Sequence, residues 1–302
     1  MNLKQSIKWQ VRKFLVDHYP KMIIDHEWPA QFGHKIDWNN PRDINEKIQW
    51  LICFSDTSEW TRLADKYKVR EFVKERGLEH ILTHLYGVWD DATKIDFDAL
   101  PEKFVLKCNH DSGSTTIIDK SKGFNEQLLK KYYNDRLKQK FGYFSCEPFY
   151  NKIDPLVIAE EFLEPPASSA DSIVDYKIWA FNGHVESIWA CYNRTEEATY
   201  VNIFDHDWQC HPEYSVFTEH YRDGKGRAPR PEHLDEMIQA ASILSNGFPQ
   251  VRADFYEVKG KLYFSEMTFT SLYGRMDFYT QEYLEKLGSM VVLPQKRCPI
   301  KF

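Results

Sequence analysis

Aromatic and polar residues alternate near the end of the chain in a pattern that predicts two successive β-strands. Residues 251–258 read Val-Arg-Ala-Asp-Phe-Tyr-Glu-Val, and residues 262–268 read Leu-Tyr-Phe-Ser-Glu-Met-Thr, with Lys-Gly-Lys between them. A two-residue period on both sides of a glycine-containing turn is typical of a hairpin. The pattern therefore predicts one carboxylate on each strand, at Asp254 and Glu266, with the Thr268 hydroxyl two residues further on.

The two carboxylates share a face of the hairpin only with certain connections. A two-residue Lys259-Gly260 turn in a regular ladder would set Asp254 opposite Ser265 and turn Glu266 to the other face. A three-residue loop at 259–261, or a β-bulge, would bring both carboxylates to one face. Hard oxygens on one face suit Mg²⁺ and, through it, phosphates, whereas the alternative is an ordinary surface hairpin with solvated carboxylates.

Periodicity elsewhere predicts both helices and strands. Residues 1–50 read as helices and loops, and helical patterns cover residues 41–50, 58–76, 123–141 and 232–246. Strand patterns cover residues 86–89, 104–107, 156–163, 175–181 and 185–191. The Asn-Gly dipeptide at 182–183 predicts a hairpin turn between the last two strands. Residues 193–231 combine many charges with glycines and prolines, which predicts a mobile loop.

The first residues predict a basic amphipathic helix. Apolar residues recur at helical spacing at Leu3, Ile7, Val11, Phe14 and Leu15. Basic residues occupy the neighbouring positions Lys4, Lys8, Arg12 and Lys13. Such a helix can lie on an anionic membrane surface, although an apolar stripe more often packs against the body of its own protein. No apolar run approaches the length of a membrane span, and no signal peptide is visible.

Composition narrows the class of protein. The 302 residues are enough for one large domain or two to three small ones, and an aromatic content of 15% supplies a sizeable core. A formal charge of -6 argues against a general nucleic-acid binder. Six scattered cysteines without a C-x-x-C pair fit a reducing cytosol. His206, Cys210 and His211 lie close in sequence, but no second ligand cluster accompanies them, so we expect no metal site there.

Two further segments carry signals for a nucleotide. A short apolar strand ends at Lys107 and is followed by residues 108–116, where small and hydroxyl residues could cradle phosphate and Gly113 would allow close approach. No G-K-[ST] follows, so this loop is not a Walker A motif, and a plain hairpin turn is the alternative. Glu160 and Glu161 end another apolar strand, which could bind a purine and ribose or could be an edge strand with one solvated glutamate.

Taken in order, these segments resemble the ATP-grasp superfamily. Their amino-acid sequences are similar above all to its TupA-like branch, named for teichuronopeptide biosynthesis. The matching phrases are ADKYKVREFV at 64–73, LYGVWD at 85–90, KFVLKCNH at 103–110 and EMTFT at 266–270. The similarity covers about residues 40–290. The resemblance implies an α+β ATP-grasp fold in which two α+β subdomains clasp a nucleotide, with a short, mainly helical N-terminal region.

The resemblance also implies a division of the chain and a reaction. Residues 1–57 would be the N-terminal helical region and 58–100 a pre-ATP segment. Residues 101–165 would carry a glycine-rich flap and an adenine hinge, and 166–302 a lid loop and the metal-binding hairpin. The implied activity is that of an ATP-grasp ligase, which uses ATP and Mg²⁺ to form a C–N bond through an acyl phosphate and releases ADP.

The site residues follow from the same resemblance. The metal ligands would be Asp254, Glu266 and Thr268, with Thr in place of the more usual Asn. Phosphate oxygens would be bound by Arg70, Lys107 and Lys177, beneath a flap formed by His110, Ser112, Gly113, Ser114 and Thr115. Adenosine would be held by Glu160, Glu161 and Leu163. Arg252 would steady the oxyanion, and Arg275 would bind the substrate carboxylate.

The TupA-like branch implies a carboxylated sugar or a peptide-like chain of a bacterial surface polysaccharide as one substrate, and an amine as the other. The protein would be cytoplasmic, with peripheral membrane contact through residues 3–15 as an open alternative, and closure of residues 193–231 would exclude water. Two other interpretations stay open. The D-x-D triplet at Asp205 and Asp207 is typical of metal-dependent glycosyltransferases, and a non-catalytic nucleotide-binding protein would carry similar nucleotide signals.

Overall fold

Two β-sheets organise the chain. The protein is represented by a computed structural model, which describes residues 3–165 and 172–296. The first sheet has the order β1-β4-β2-β3, with β1 at Leu85–Trp89, β2 at Lys103–Cys108, β3 at Thr116–Asp119 and β4 at Val157–Glu161. The second has the order β10-β9-β5-β6-β7-β8, with β5 at Asp175–Phe181, β6 at His184–Tyr192, β7 at Thr199–Phe204, β8 at Tyr221–Asp223, β9 at Val251–Val258 and β10 at Lys261–Thr268. The pairs are antiparallel except β7 with β8.

Helices cover these sheets and form the N-terminal region. They are α1 at Leu3–His18, α2 at Pro20–Phe32, α3 at Ile44–Phe54, α4 at Ser58–Ala64, α5 at Val69–Glu75, α6 at Glu126–Leu137, α7 at Gly142–Ser145, α8 at Leu234–Ser245 and α9 at Gln281–Met290. One core joins the second sheet to α3, α8 and α9, another joins the first sheet to α6, and a third lies between α1 and α2. The predicted α+β fold with a helical N-terminal region is confirmed. The four-part division of the chain stays a prediction.

The helix predicted to begin near residue 41 is α3, and its start is a reciprocal cap. The Asp43 carboxylate accepts a hydrogen bond from the Glu46 amide at 2.9 Å, and the Glu46 carboxylate accepts one from the Arg42 amide at 2.7 Å. Such a pair satisfies amides that the first helical turn leaves unbonded. The cap fixes the direction of α3, which packs against residues 271–274 at the end of the second sheet.

The single helix predicted over residues 58–76 is wrong. α4 ends at Ala64, because the Asp65 carboxylate accepts hydrogen bonds from the Tyr67 and Lys68 amides at 2.8 and 3.2 Å. A side chain that bonds to its own backbone competes with helix continuation. The chain resumes as α5 only at Val69.

The mobile loop predicted for residues 193–231 is also wrong, because this segment contains β7 and β8. Val201 and Ile203 are buried in β7, which pairs with β6. Gly224 serves packing rather than motion, since a Cβ there would lie 2.1 Å from the Tyr192 hydroxyl oxygen. Charges and glycines in the sequence thus concealed two strands of the second sheet.

The apolar stripe of α1 faces outward. Ile7, Val11 and Phe14 are 56, 52 and 56% exposed, so the expectation that the stripe packs against the protein is wrong for these three residues. Leu15 does join the core between α1 and α2, and the Leu3 side chain lies outside the described residues.

The opposite side of α1 docks on the residues around α7. The Trp9 ring lies 4.8 Å from that of Phe144, and Arg12 Nε donates a hydrogen bond to the Tyr143 carbonyl at 2.8 Å. The basic side chain of Arg12 is therefore engaged within the protein. No helix of the described residues combines the length and the apolarity that crossing a bilayer requires.

Candidate functional site

A cleft of about 680 Å³ lies between the two sheets. One wall consists of β2, β4 and the loop after β2, and the other of β5, β9, β10 and the segment after β10. The predicted site residues that line it are Lys107, Ser112, Gly113, Ser114, Thr115, Glu160, Glu161, Leu163, Lys177, Arg252, Glu266 and Thr268. Asp254 lies directly behind Arg252 and Lys177, whereas Arg70, His110 and Arg275 are not among the lining residues.

Glu160 of the first sheet contacts two cations, Lys107 of β2 and Arg70 of α5. Its Oε2 lies 2.5 Å from Lys107 Nζ, and its Oε1 accepts a hydrogen bond from Arg70 at 3.3 Å. Arg70 also donates to the Thr83 carbonyl at 2.5 Å. Lys107 therefore presents its charge to the cleft, whereas Arg70 supports Glu160 from behind.

The loop after β2 is built around Asp111, a residue that the sequence analysis did not single out. Ser114 Oγ accepts a hydrogen bond from the Cys108 amide at 2.9 Å and donates one to Asp111 at 2.5 Å. Arg136 of α6 donates to the second Asp111 oxygen at 2.7 Å. Gly113 has a φ of 80°, and a Cβ there would have no heavy atom within 4 Å. The loop is thus anchored at its base and open at Gly113, where a ligand could approach the backbone closely.

His110 points into the protein instead of joining the flap. Its side chain is buried, and burial lowers the pKa of His110. The other predicted flap residues line the cleft, so the structure brings Ser112 to Thr115 together without His110.

The end of the cleft beyond β4 is mostly apolar. Leu163 and Phe162 follow β4 and share this end with Val105 of β2. Glu161 is tied to the neighbouring chain, because its carboxylate accepts a hydrogen bond from the His84 amide at 3.2 Å. Apolar walls with few polar groups are typical of a site for a flat, partly polar ring.

The β9–β10 hairpin contains a two-residue turn and a bulge. Lys259 and Gly260 have φ angles of 52° and 68°, as in a type I′ turn. The register shifts at Ser265, so that Glu266 lies opposite Asp254. Of the two connections that could bring the carboxylates to one face, the bulge is present and the three-residue loop is not.

Asp254 is buried between two cations. Arg252 Nε and Nη2 donate hydrogen bonds to its two oxygens at 2.7 Å each, and Lys177 Nζ donates to Oδ2 at 2.6 Å. Burial alone would raise the pKa of Asp254, but Arg252 and Lys177 lower it overall. Lys177 also lies 2.6 Å from Asp175, another carboxyl that the sequence analysis missed, and burial raises the pKa of Asp175.

The hairpin presents oxygens that fit a hard divalent cation. The Glu266 side chain is 36% exposed, and Thr268 Oγ1 donates a hydrogen bond to it at 3.3 Å. Within residues 3–165 and 172–296, no group of three or more His, Cys, Asp or Glu side chains is placed to hold a metal ion. Asp254, Glu266 and Thr268 contribute only two carboxylates between them, and their role as metal ligands stays a prediction.

The end of the cleft beyond the hairpin consists of residues that the sequence analysis did not single out: Phe141, Glu147, Tyr150, Thr270, Ser271, Leu272 and Tyr273. Arg275, the predicted ligand of the substrate carboxylate, lies behind this end. It donates a hydrogen bond to Glu27 of α2 at 3.0 Å. The structure therefore places Arg275 at the joint with the N-terminal helices.

The D-x-D triplet forms a turn after β7. Asp205 accepts hydrogen bonds from the Asp207 and Gln209 amides at 3.0 and 2.8 Å, and it also contacts His211 at 3.1 Å. Neither aspartate lines the cleft. Asp205 therefore stabilises a turn outside the nucleotide-sized cleft, and this position does not favour the glycosyltransferase interpretation.

Comparison with family profiles gives one family for most of the chain. The profile of the TupA-like ATP-grasp family matches residues 46–292. No curated protein sequence matches significantly.

Solved ligase structures show similarity at low identity. D-alanine–D-alanine ligase from Bacillus anthracis, complexed with ATP, is 13% identical with a TM-score of 0.46, over 76% of this chain and 65% of that chain. The Helicobacter pylori enzyme is 12% identical with a TM-score of 0.43, over 84% and 68%. The ATP-grasp ligase PsnB, complexed with a phosphomimetic variant of its minimal precursor, Mg and ADP, is 10% identical with a TM-score of 0.42, over 92% and 72%. The chain thus spans slightly less than two thirds of the length of the Bacillus anthracis ligase.

Proposed function

The chain belongs to the TupA-like ATP-grasp family, and from that premise we propose that it is an ATP-dependent carboxylate–amine ligase that forms ADP through an acyl phosphate. One observation carries this proposal: Lys107 and Lys177, from different sheets, line the same cleft as the carboxylate of Glu266. Cations that bind phosphate oxygens, beside hard oxygens that bind a metal ion, are what phosphoryl transfer requires.

ATP would lie along the cleft between the sheets. Adenosine would occupy the apolar end near Glu161 and Leu163, and residues 112–115 would cover the phosphates. Lys107 and Lys177 would bind phosphate oxygens. Mg²⁺, when held by the hairpin and the phosphates, would neutralise phosphate charge and make the terminal phosphorus easier to attack.

The residues of the chain would then position two successive attacks. An oxygen of the substrate carboxylate attacks the terminal phosphorus, and ADP departs, leaving an acyl phosphate. The amine nitrogen adds to the acyl carbon, and the resulting oxyanion expels phosphate as the amide forms. Arg252 is suited to the oxyanion, because Nη1 donates to Ser271 Oγ at 2.7 Å and so points toward the end of the cleft beyond the hairpin.

Exclusion of water would depend on the flap at residues 112–115. The segment predicted to act as a lid, residues 193–231, contains β7 and β8 instead. Gly113, with open space around its Cα, gives the flap room to adjust over a bound phosphate.

The substrate carboxylate would belong to a sugar or amino acid destined for a bacterial surface polysaccharide, such as a capsule, and the enzyme would be cytoplasmic. Membership of the TupA-like family supports this proposal. Incubation with ATP, Mg²⁺, a uronic acid derivative and pooled amino acids should release ADP and phosphate. Release of AMP and pyrophosphate instead would exclude the acyl phosphate.

The metal ligands can be tested with a matched pair of variants. Glu266→Ala should reduce ADP release at least about 100-fold, because the exposed oxygen ligand of the hairpin is lost. Asp207→Ala, in the exposed turn after β7, should retain the wild-type rate. Near-wild-type ADP release by the Glu266 variant would contradict the metal assignment.

We also propose that α1 contacts an anionic membrane at the inner face. The exposed stripe of Ile7, Val11 and Phe14 is flanked by the exposed basic residues Lys4 and Lys8. Apolar side chains would enter the interface while the lysines meet lipid phosphates. This contact would hold the ligase beside a membrane-bound glycan.

A further inference from the structure

A glutamate that the proposed reaction has not used lies in the cleft wall. Glu147 is 2% exposed and lines the cleft. The preceding turn fixes it: Cys146 has a left-handed φ of 62°, and the Glu147 amide donates a hydrogen bond to the Gly142 carbonyl at 2.9 Å. A Cβ at Gly142 would lie 2.0 Å from the Glu147 carbonyl oxygen, so this turn requires a glycine.

The carboxyl group of Glu147 is only half satisfied. Oε1 accepts a hydrogen bond from the Thr270 hydroxyl, whereas Oε2 is buried and has no hydrogen-bond partner in the described part of the chain. The Ser145 hydroxyl also has no partner there, and it is near enough to Glu147 to lower its pKa. Arg275 acts on Glu147 through its charge, but its own hydrogen bond goes to Glu27. Burial raises the pKa of Glu147 to about 7. An orphaned buried acceptor in a cleft wall indicates a donor that arrives with a ligand.

Glu147 is close to the proposed reacting centre. Thr270, its hydrogen-bond partner, follows Thr268 of the hairpin by two residues and precedes Ser271, which accepts from Arg252. Tyr150 lines the same cleft, and beyond the effect of burial the charges of both Glu147 and Glu266 raise its pKa. A nitrogen bound at Glu147 and an acyl carbon beside Arg252 would therefore share one end of the cleft.

The same cleft is lined by a segment that is held in a strained conformation. Leu272 and Tyr273 have positive φ angles of 45° and 61°, and each is 41% exposed. Gln49 of α3 fixes them by donating hydrogen bonds to the Tyr273 and Gly274 carbonyls at 2.7 and 3.1 Å. Consecutive non-glycine residues in this region are uncommon and concentrate where ligands are clamped.

From these contacts we propose that Glu147 binds the ammonium group of the acceptor amine, in a pocket walled by Leu272 and Tyr273. The inference rests on the proposed ligase function and assigns its second substrate site. An ammonium N–H would satisfy Oε2, and the two large side chains would contact the carbon skeleton of an amino acid or amino sugar.

The same carboxylate balances the protons of amide formation. The acceptor enters as an ammonium ion with three N–H bonds and ends as an amide with one, so two protons leave the nitrogen. The first passes to Glu147, which frees the lone pair to form the C–N bond as the carbonyl electron pair moves to oxygen. The second leaves with phosphate as the C–O bond to phosphate breaks. A group with a pKa near 7 is matched to this exchange.

A competition between two nucleophiles tests the assignment. Hydroxylamine, which is small and largely neutral at pH 7.5, intercepts an acyl phosphate as a hydroxamate without needing an ammonium site. Ammonium chloride and the pooled amino acids need that site. With ATP, Mg²⁺ and the uronic acid derivative, Glu147→Gln should lower the ratio of amide to hydroxamate about 100-fold relative to wild type. Glu147→Asp, which keeps the carboxylate, should restore part of the ratio.

The controls separate this inference from the proposed function. Glu46→Gln, a buried carboxylate of α3 outside the cleft, should leave the ratio unchanged. An unchanged ratio in Glu147→Gln, or a wild-type enzyme that makes hydroxamate but no amide from any amine, overturns the role of Glu147 alone. A wild-type enzyme that makes neither product overturns the ligase function, and the role of Glu147 with it.

Discussion

Lys177 is the residue on which the buried charges of the second sheet depend. Its Nζ lies 2.6 Å from both Asp175 and Asp254. Burial alone would lower the pKa of Lys177, but the two aspartates raise it overall, so the side chain stays charged. A cation that two buried carboxylates share contributes to the stability of the fold.

Replacement of Lys177 by methionine should therefore destabilise the protein even without substrate. Removing one partner of a buried ion pair costs about 3–5 kcal/mol, because the other charge stays buried. Lys107→Met is the matched control, since Lys107 pairs with one carboxylate, Glu160, whereas Lys177 pairs with two. Urea unfolding should show the larger loss for Lys177→Met, and a loss no larger than that of the control would contradict the argument.

Glu147 should make stability depend on pH. Its pKa is raised from 4.5 to about 7, so the folded state holds the proton more tightly than the unfolded state. The stabilisation is fully present below pH 4.5 and is lost as pH rises through about 7, which amounts to about 3 kcal/mol. The Glu147→Gln variant should not show this pH-dependent loss of stability, because glutamine does not ionise. Between pH 5 and pH 8, urea unfolding should show a smaller fall in the free energy of unfolding for the variant than for wild type. An equal fall in both proteins would contradict this.

Residues that take part in a sequence pattern were predictable, and those positioned by the fold were not. Asp254 and Glu266 stand in alternating strands, and Lys177 shares a strand face with Asp175 two residues away, which was an available signal for Asp175. Asp111 and Glu147 act through partners distant in sequence, Arg136 and Thr270. No local pattern encodes such pairs, so both were missed.

At the scale of elements, the segment after β10 is clamped rather than free. Gly274 has a φ of 65°, and a Cβ there would lie 2.5 Å from Ile48 Cγ2 and 2.7 Å from Gln49 Nε2, both on α3. α3 therefore presses directly on the strained wall of the cleft. This contact links the N-terminal region to the proposed amine site.

Gly274→Ala should disturb this clamp more than its backbone strain alone explains. Gly247→Ala is the matched control, since Gly247 also has a positive φ, 96°, but a Cβ there would meet nothing within 4 Å. The control should lose about 1–2 kcal/mol from backbone strain alone. Gly274→Ala should lose about 1–3 kcal/mol more from overpacking. Equal losses of unfolding free energy in the two variants would mean that α3 can move to accommodate the added methyl group.

Strand pairing shows where element prediction succeeds. The hairpin at Asn182-Gly183 was predictable because the dipeptide supplies the positive φ angles that a two-residue turn requires. The bulge at Ser265 was predictable only as one of two options, since register depends on the ladder as a whole. The β7 and β8 strands were missed because burial against β6, rather than local composition, makes them strands.

At the scale of the whole molecule, α1 presents apolar surface that the fold leaves uncovered. Ile7→Glu, Val11→Glu and Phe14→Glu combined should abolish co-sedimentation with phosphatidylglycerol vesicles, because the exposed stripe is lost while Trp9 and Arg12 still hold the helix. Val292→Glu, at a position 80% exposed elsewhere, is the control. Binding of wild type should weaken in high salt and with phosphatidylcholine alone. Equal sedimentation of both variants would end the membrane proposal.

The overall architecture was foreseeable because the order of the segments resembles one family, whose profile matches residues 46–292. The exposure of the apolar face of α1 was not foreseeable, since the periodicity of an amphipathic helix does not show what its apolar face contacts. The orientation of α1 is set by Trp9 and Arg12 on its other side, which contact residues around α7.

The cluster around Asp254 bears on the order in which ligands load. The carboxylates of Asp175, Asp254 and Glu266 are matched by the cations of Lys177, Arg252 and Arg194. This cluster is thus close to electrically neutral, and a solitary divalent ion would gain little by binding to it. A polyanionic nucleotide would give Lys177 and Arg252 new counterions and would free Asp254 to coordinate a metal ion. If the proposed function holds, we therefore expect nucleotide and metal to enter together as one complex.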